Sequence, residues 1–461
     1  MSGDRTPSNQ NRDLPADALP GVPRLIDDCF RPDDPSRALI SHQEAIDRLR
    51  SRLAPVAAAD VLPTEHALGR ILAADMIAPF PVPAVDNSAV DGFAVGREHA
   101  PAVPADGITT VRHVVGVAKA GHPFERALEP GEAVRILTGA PVPEGTEAVV
   151  MREDTAVTSS AGIDGGPATV SWARGHKPGA NIRRAGEDVA QGTTLFPRGH
   201  IIRPQDIAAL ATIGIDRYPC YRPLRVAIVS TGDELVPPAS AQPKPPRPGH
   251  VYDANSGMLA ALVTLAGAMP ERIGIVEDRP DVVRHVLADV ARRSDVIITS
   301  GGASDSSEDH VASTLATLGR RHEWWINIKP GRPVIFGQIG ATVVAGLPGN
   351  PVAVFVCFLL YVFPMLRTLG GAPWPEPTRL ELPAAFTFQG RKVGRREYWR
   401  GWLEETEQGL VVQKFPRDGS GLVSGLRAAT GLIEVSEAAG DVHPGTRVTF
   451  IPFTNYGFGG L

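Results

Sequence analysis

The feature that most constrains the fold is an alternation of apolar runs with helical patterns between residues 204 and 370. Runs such as Leu224–Ser230 and Asp295–Thr299 leave no polar face, which is typical of strands buried inside a parallel sheet. Further strands are predicted at Arg272–Val276, Val334–Phe336 and Thr342–Ala345. Helices are predicted at Pro204–Ile213, Asn255–Ala266, Pro280–Arg292 and Val352–Leu366. This order predicts a doubly wound α/β domain over residues 204–372.

Strand-rich segments flank this domain on both sides. Residues 75–150 contain β-prone runs between Gly/Pro turns, which indicates a small β-barrel-like domain. Residues 37–74 and 151–203 are assigned to a linking N-terminal domain, and residues 373–461 to a C-terminal β domain. The chain is therefore expected to form a multidomain α/β plus β subunit. The predicted strands outside the α/β domain are Ile108–Val117, Ala133–Leu137, Ala148–Met151, Ala168–Ala173, Thr193–Phe196, Arg379–Leu382, Tyr398–Leu403, Leu410–Lys414, Gly431–Val435 and Arg447–Pro452.

The first 74 residues divide into a tail and two predicted helices. Residues 1–36 are rich in Pro, Asp, Arg and Asn, cannot bury much apolar surface, and are predicted to be disordered. Ser41, followed three residues later by Glu44, indicates a capped helix start. A second short helix is predicted at His66–Ala74. The proline-rich insertion at Pro237–Gly249 is interpreted as a solvent-exposed loop.

The composition and charge of the chain argue against several classes of protein. A formal net charge of −5 argues against a nucleic-acid partner, because such proteins need excess positive charge to neutralise phosphates. The three cysteines are far apart, which argues against a disulfide framework or a zinc site. The N-terminus lacks a signal-peptide core, and the apolar run Val352–Met365 is shorter than a membrane span. A cytoplasmic protein with no membrane association is expected.

Acidic and glycine-rich loops follow three of the predicted strands. These loops are Thr231–Glu234, Glu277–Asp278 and Ser300–Asp309, and ligands bind at this edge of open α/β sheets. The Ser300, Gly301, Gly302 turn is expected to present free backbone amides to an anion, although it could equally be only a tight turn. Clustered carboxylates usually bind a cation or hold a shared proton, although Asp233 or Glu234 could merely cap the segment that follows. A Mg²⁺ site is predicted among Glu234, Asp278 and Asp309, with Glu234 and Asp278 as metal ligands.

Two further segments suit anions. Lys329 and Arg332 place two cations on a Pro/Gly loop, which suits phosphate or another oxyanion. Pro348 and Pro351 frame the predicted start of the Val352 helix, with Asn350 as a cap. A helix N-terminus is a ready anion site, although these residues could serve capping alone.

Seven runs in one order resemble a known family. They are DNSAVDGFA (Asp86–Ala94), RILTGAPV (Arg135–Val142), GANIR with GED (Gly179–Asp188), STGDEL (Ser230–Leu235), SGG (Ser300–Gly302), IKPGRP (Ile328–Pro333) and LPGNP (Leu347–Pro351). In this order they resemble the MoeA family, the molybdopterin molybdenumtransferases, which are related to the gephyrin E domain. The resemblance covers residues 38–461.

The resemblance implies a four-part, elongated subunit. It also implies a homodimer whose active site lies between the α/β domain of one subunit and the β-rich domain of the other. It implies catalytic roles for Asp91, Thr138, Asp188, Glu234, Asp278 and Asp309. It implies substrate-binding roles for Ser300, Gly301, Gly302, Lys329, Arg332, Pro348, Pro351, Arg400 and Ser420. The chain departs from the family at Ser306 and Ser307, where Gly and Glu are typical, at Trp325, where a second Lys is typical, and at Arg332, where Lys is common.

The hypothesis that follows is insertion of molybdate into adenylylated molybdopterin with release of AMP. The pyrophosphate would lie near Ser300–Gly302 and the Val352 helix, Mg²⁺ near Glu234 or Asp278, and molybdate at Lys329. A molybdopterin adenylyltransferase and acceptor molybdoenzymes are the partners implied. The alternatives are a related enzyme that shares the α/β domain, and a non-catalytic carrier of pterin or molybdate, or a scaffold, of the same fold.

Overall fold

The computed structural model describes residues 39–96, 110–157, 169–172, 176–238, 244–302 and 310–458. The predicted disordered tail lies outside the described residues, as do residues 239–243 of the proline-rich insertion. The helices are α1 (His42–Arg52), α2 (Pro204–Thr212), α3 (Asn255–Leu265), α4 (Pro280–Ala291), α5 (His310–Leu318), α6 (Pro351–Cys357), α7 (Phe363–Leu369) and α8 (Val423–Ala428).

The strands are more numerous than the sequence predicted. In chain order they are β1 (Ala59–Pro63), β2 (Met76–Ile77), β3 (Asn87–Ser88), β4 (Gly92–Gly96), β5 (Thr110–Ala118), β6 (Glu132–Ile136), β7 (Thr146–Met151), β8 (Ala156–Val157), β9 (Thr169–Trp172), β10 (Ile182–Arg183), β11 (Thr194–Phe196), β12 (Arg217–Tyr221) and β13 (Arg225–Thr231). They continue with β14 (Leu235–Val236), β15 (Val251–Tyr252), β16 (Met269–Val276), β17 (Val296–Ser300), β18 (Arg320–Trp325), β19 (Ile328–Lys329), β20 (Pro333–Ile339), β21 (Thr342–Leu347), β22 (Leu380–Pro383), β23 (Arg396–Thr406), β24 (Gly409–Lys414), β25 (Gly431–Val435) and β26 (Arg447–Pro452).

The two predicted N-terminal helices have different outcomes. The first is confirmed: the Ser41 hydroxyl accepts a hydrogen bond from the Glu44 amide, 3.1 Å away, and α1 follows. The second, at His66–Ala74, is wrong. A 3-10 turn ends at His66, and Gly69 then takes a φ of +74°, which is left-handed and ends any helix. The chain after it forms isolated bridges to strand-like segments instead.

The chain forms two compact units. One contains the described residues up to Ala73 together with Gly199–Ile202 and the chain from Pro219 onward, and the other contains Ala74–Arg198 and Arg203–Tyr218. The sequence assigned helix α2 to the α/β domain, whereas the contacts group it with the strand-rich unit. The C-terminal strands belong to the same unit as the α/β sheet, because Phe453 and Tyr456 share a buried cluster with the apolar helix after Asn350.

The α/β sheet of the first unit has the order β16-β13-β17-β21-β20-β18. The pairs β16–β13, β13–β17 and β17–β21 are parallel, and β20 and β18 add antiparallel strands. Alternate residues of β13 enter separate cores: Val226 and Ile228 pack with α3 and α6, and Ala227 and Val229 with α4 and α5. Helices therefore cover both faces, and only the strand ends remain for a ligand.

The apolar helical run after Asn350 is longer than the sequence predicted. It spans Pro351–Leu369, with one π-helical turn at Phe358–Val362 between α6 and α7, and Pro364 lies at the start of α7. By length and composition its 19 residues could cross a membrane, but 89% of its most apolar window is buried inside the protein. This burial is that of a core helix.

The C-terminal sheet of the same unit has the order β19-β23-β25-β26-β22, with β24 paired to β23. Strand β19, which carries Lys329, pairs in parallel with the start of β23. This pairing joins the loop before β20 to the C-terminal sheet and brings Arg400, on β23, to the same side as the α/β strand ends.

The second unit is built on a sheet of order β7-β4-β6-β5-β9-β8. One face of this sheet packs Phe93, Val95, Ala148 and Val150 into a core, and the alternate residues Ala94 and Val149 are buried in a second cluster on the other face. The short pair β3–β10 lies beside it and joins the DNSAVDG run to the GANIR run. The predicted strands at residues 108–117 and 168–173 extend partly beyond the described residues.

Candidate active site

A cavity of about 720 Å³ opens at the carboxyl ends of the α/β strands, within the first unit. Loops after β13, β16 and β17 form one side, and the segments around Lys329, Pro348 and Arg400 form the other. Its lining residues are Thr231, Gly232, Glu234, Asp278, Gly301, Gly302, Lys329–Pro333, Pro348–Asn350, Ala353, Tyr398–Arg400, Phe415 and Asp418–Ser420.

The acidic wall of this cavity consists of Gly232, Glu234 and Asp278. Gly232 has a φ of +141°, which favours glycine, and the Glu234 carboxylate folds back to 2.6 Å from the place where a Cβ would lie. The Asp278 amide donates to Asp233 Oδ1 at 3.2 Å, which joins the loops after β13 and β16. The structure thus brings together two of the three predicted carboxylates, and the third, Asp309, lies outside the described residues.

The Gly301–Gly302 turn lies against the loop after β13. Gly301 has a φ of +90°, and a Cβ there would lie 2.6 Å from the Thr231 carbonyl oxygen. The expectation of free amides is wrong for Gly301, because its N–H donates to the Leu347 carbonyl at 3.1 Å. The Gly302 amide has no partner among the described residues, and Gly302 is one of the residues that line the cavity. Ser300 is buried, and its hydroxyl lies beneath the turn rather than in the lining.

The basic wall consists of Lys329, Arg332 and Arg400. Lys329 Nζ lies 3.3 Å from Glu397 Oε2, and that buried carboxylate also accepts a hydrogen bond from Trp399 Nε1 at 2.9 Å. Arg332 is half-buried, and its Nε has no hydrogen-bond partner within the described part of the chain. A buried donor without a partner is costly, so this guanidinium is suited to an added oxyanion.

Gly331 shapes the loop that carries Lys329 and Arg332. Its φ is +98°, and a Cβ at this position would lie 2.2 Å from Cys357 Sγ on helix α6. Burial raises the pKa of the Cys357 thiol to about 12, so this side chain is a neutral packing surface. The loop therefore rests directly on the core helix.

Arg400 is a buried cation on β23. Its guanidinium donates to the carbonyls of Gly419 (3.1 Å) and Arg417 (2.6 Å), and its carbon lies 5.6 Å from the Phe415 ring centroid. Its Nε has no hydrogen-bond partner among the described atoms, and only 7% of the residue is exposed. Burial lowers the pKa of this guanidinium, and nearby Asp418 partly opposes that effect. A group already removed from water can bind an anion at little further desolvation cost.

The start of helix α6 differs from the prediction. The Val352 amide donates to the Ser420 carbonyl at 3.0 Å, so the C-terminal loop already occupies part of this helix end. Pro351 has no N–H, and it is not among the residues that line the cavity, whereas Pro348 is. Ser420 lines the cavity as predicted, and its carbonyl also accepts the hydrogen bond from the Val352 amide at the helix N-terminus.

In the strand-rich unit, Asp91 and Thr138 contact each other directly. Asp91 Oδ1 accepts hydrogen bonds from the Thr138 amide (2.8 Å) and the Thr138 hydroxyl (2.7 Å). These two bonds, the backbone one foremost, hold the pKa of Asp91 below its usual value. Both residues are exposed, and Asp188 is exposed on the turn after β10. The pair is a preformed acceptor site on this unit.

The sequence missed several residues of the cavity. Tyr398, Trp399 and Phe415 supply aromatic walls, and Asp418 adds a carboxylate that is paired with Lys414 at 2.6 Å. The sequence signal that could have indicated this segment is the run of aspartate, glycine and serine shortly after the predicted Leu410–Lys414 strand. Within the described ranges no group of three or more His, Cys, Asp or Glu side chains is close enough to hold a metal ion alone.

Known proteins match this chain over nearly its whole length. The MoeA N-terminal region (domains I and II) matches residues 40–214, a probable molybdopterin binding domain matches residues 227–368, and the MoeA C-terminal region (domain IV) matches residues 382–453. The molybdopterin molybdenumtransferase of Haemophilus influenzae is 34% identical over 398 residues, which are 86% of this chain and 94% of that relative. The molybdopterin molybdenumtransferase 2 of Mycobacterium tuberculosis is 33% identical, covering 89% and 98%. The crystal structure of the moeA protein from Pyrococcus horikoshii has a TM-score of 0.74 at 26% identity and covers 90% of this chain and all of that one.

Proposed function

This chain belongs to the MoeA family, and from its cavity we propose that it inserts molybdate into adenylylated molybdopterin with release of AMP. The chain is a transferase of molybdenum cofactor biosynthesis. The observation that carries the detailed proposal is one cavity with carboxylates on one wall and cations on the other. The substrate pair would need both, because a pyrophosphate that binds Mg²⁺ and an oxyanion of molybdenum would lie side by side.

The acidic wall fits Mg²⁺. This ion usually keeps several waters and binds one or two carboxylates together with substrate phosphates, so Glu234 and Asp278 suffice without a full protein cage. Gly302 lines the cavity beside them, and its amide would hold a phosphate oxygen. Mg²⁺ bound there would neutralise charge on the pyrophosphate.

The basic wall fits molybdate, a dianion. Lys329, Arg332 and Arg400 all line the cavity and bring three positive charges to it. A guanidinium presents donors in a fixed plane that suits a tetrahedral oxyanion. Arg332 stands where the family commonly has lysine, so the chain retains a cation here while Trp325 replaces the other lysine.

The reaction balances without a change of oxidation state. The two dithiolene sulfurs of the pterin each bond to molybdenum, and one molybdate oxygen leaves as water with the two thiol protons. A second water cleaves the phosphoanhydride, giving AMP and the pterin phosphate. The protein supplies position and charge: the basic wall orients molybdate toward the sulfurs, and the acidic wall orients the pyrophosphate.

The proposal includes a homodimer in which the strand-rich unit of one subunit supplies Asp91, Thr138 and Asp188 to the cavity of the other. The supporting observation is the Asp91–Thr138 pair, which is exposed on its own unit and pre-ordered by two hydrogen bonds. A molybdopterin adenylyltransferase as supplier and molybdoenzymes as recipients follow from the same chemistry. Location in the cytoplasm remains a prediction from the sequence.

Mixing two inactive variants tests the shared site. Subunits carrying Glu234→Ala and subunits carrying Asp91→Ala are each expected to be inactive as homodimers. Random exchange should restore about a quarter of wild-type AMP release, because each heterodimer has one intact site. No recovery in heterodimers verified by two affinity tags would place Asp91 and Glu234 in the same subunit's site and contradict this part of the proposal.

The alternative function is a carrier or scaffold, favoured by the departures at Ser306, Ser307 and Trp325. The two functions separate in one incubation with adenylylated molybdopterin, Mg²⁺ and molybdate. AMP release coupled to molybdenum transfer supports the enzyme. Tight pterin binding without AMP release at any molybdate concentration supports the carrier. Glu234→Ala is expected to reduce AMP release at least about 100-fold with the dimer intact, since the side chain acts on charge rather than packing.

A further inference from the structure

Asn255 is a buried amide at the start of α3, and it touches two loops of the cavity. Only 8% of the residue is exposed. Its Nδ2 donates to Ser300 Oγ at 2.8 Å and to the Gly349 carbonyl at 2.7 Å. Ser300 precedes the Gly301–Gly302 turn, and Gly349 lies in the loop before α6, so one side chain joins the two segments.

A second buried residue links this amide to the third loop. Asp253, 6% exposed, accepts hydrogen bonds at Oδ1 from the amides of Asn255 (3.1 Å) and Ser256 (3.0 Å). Its Oδ2 accepts from Ser230 Oγ at 2.9 Å, and Ser230 precedes the loop that carries Glu234. A continuous chain of hydrogen bonds thus runs from the end of β13 through α3 to the end of β17.

The Asn255 side chain is not needed to start its own helix. Asp253 already satisfies the first amides of α3, and the Nδ2 bonds of Asn255 both leave the helix. Its Oδ1 is buried without a donor among the described residues. A buried polar atom without a hydrogen-bond partner tends to be retained where function requires the local geometry.

We propose that Asn255 is a positioning residue that fixes the spacing between the Gly301–Gly302 turn and the Pro348–Asn350 loop. Both segments line the cavity, whereas Asn255 lies behind them. The spacing selects a ligand with a pyrophosphate group, because phosphate oxygens must reach the Gly302 amide across that gap. The identity of this ligand rests on the proposed function, but the positioning of the two loops does not.

Amide hydrogen exchange tests the positioning without any substrate. The variants are Asn255→Asp, which keeps the size and removes both donors, and Asn255→Leu, which removes the polar group. Exchange of the Gly301 amide, which donates to Leu347, is expected to rise about 10-fold in both variants, as local opening becomes easier. Ser256→Ala is the matched control: it is the next residue, equally buried, and its hydroxyl contacts Arg272 rather than a cavity loop.

Steady-state kinetics test the consequence for substrate. For Asn255→Asp the KM for adenylylated molybdopterin should rise about 10-fold, the size expected for one lost positioning bond, with kcat changed less than twofold. Ser256→Ala should leave both parameters unchanged. Unchanged Gly301 exchange together with a lowered Tm would show that Asn255 only packs, and would overturn the proposal. If the wild type releases no AMP, the proposed function fails, while the exchange result still decides the role of Asn255.

Discussion

The acidic wall and the basic wall of the cavity carry opposite charges, and they are held in different ways. Glu234 is exposed on a loop after a parallel strand, and its position depends on backbone geometry at Gly232. Arg400 is instead embedded between two carbonyls and the Phe415 ring, and the loop that carries Arg332 rests on the core helix at Gly331. A carboxylate that binds the proposed Mg²⁺ would need water to exchange a solvated ion, whereas a cation that binds the proposed molybdate would gain from a dry surrounding.

This difference predicts that damage to the basic wall reduces both stability and oxyanion binding, whereas damage to the acidic wall reduces function alone. The largest stability effect is expected for Gly331→Ala. The left-handed φ and the overlap with Cys357 Sγ together should lower the free energy of unfolding by about 3 kcal/mol. Urea denaturation measures this. Gly340→Ala is the control, because Gly340 also has a positive φ but open space around it.

A second substitution separates the cost of the left-handed φ at Gly331 from the cost of the overlap with Cys357 Sγ. Cys357→Ala in the Gly331→Ala background removes the sulfur, and should recover about half of the lost free energy while the φ cost remains. A full recovery would show that the backbone is not strained, and no recovery would show that the loop does not rest on helix α6.

Arg400→Lys tests whether the basic wall requires a guanidinium. A lysine cannot bond both carbonyls, at Gly419 and Arg417, while lying over Phe415, so one buried acceptor loses its donor. The concentration of molybdate for half-maximal AMP release is expected to rise about 100-fold, and the free energy of unfolding to fall by about 2 kcal/mol. Arg417→Lys is the matched control, since Arg417 is exposed and its guanidinium carbon lies 5.8 Å from the centroid of the same ring. Equal effects of the two substitutions would contradict the special role of burial.

The histidine that packs beneath β23, the strand of Arg400, should also make the free energy of unfolding depend on pH. His42 lies under β23, with its ring centroid 5.7 Å from that of Tyr398 and its Nδ1 2.9 Å from the Tyr361 hydroxyl. Burial lowers the pKa of His42 to about 4, although Glu434 partly opposes this. Above pH 6.5 the histidine is neutral in both states. As pH falls toward 4, the unfolded chain takes up a proton that the folded chain excludes, so stability is lost across that window.

The expected loss between pH 7 and pH 5 is about 2 kcal/mol in the free energy of unfolding. Urea denaturation at the two pH values measures it. His42→Asn, which keeps an acceptor for Tyr361, should remove most of this difference, and His443→Asn, at an exposed position, should keep it. A difference that persists in His42→Asn would assign the acid sensitivity to other groups.

The acidic wall was more predictable from the sequence than the basic wall, for a physical reason. Glu234 and Asp278 follow apolar strands directly, and parallel strands bring their carboxyl ends to one edge, so local pattern and topology suffice. The pairing of Lys329 with Glu397 spans 68 residues and depends on β19 joining the C-terminal sheet. The bonds that occupy the Gly301 and Val352 amides are equally non-local. Periodicity cannot reveal such contacts, and only the family resemblance pointed to Arg400 and Ser420.

The smallest effect is expected for Asp278→Asn. This substitution also tests most directly how the acidic wall differs from the basic wall. Loss of one carboxylate ligand should raise the Mg²⁺ concentration for half-maximal AMP release about 10-fold, which is about 1.4 kcal/mol, with the free energy of unfolding changed by less than about 0.5 kcal/mol. Asp281→Asn, on the exposed first turn of α4 and paired with Arg279, should change neither quantity. If Asp278→Asn instead lowered stability as much as Arg400→Lys and left the Mg²⁺ dependence unchanged, the acidic wall would be a structural element like the basic one. The ion would then have to be sought among ligands other than Asp278.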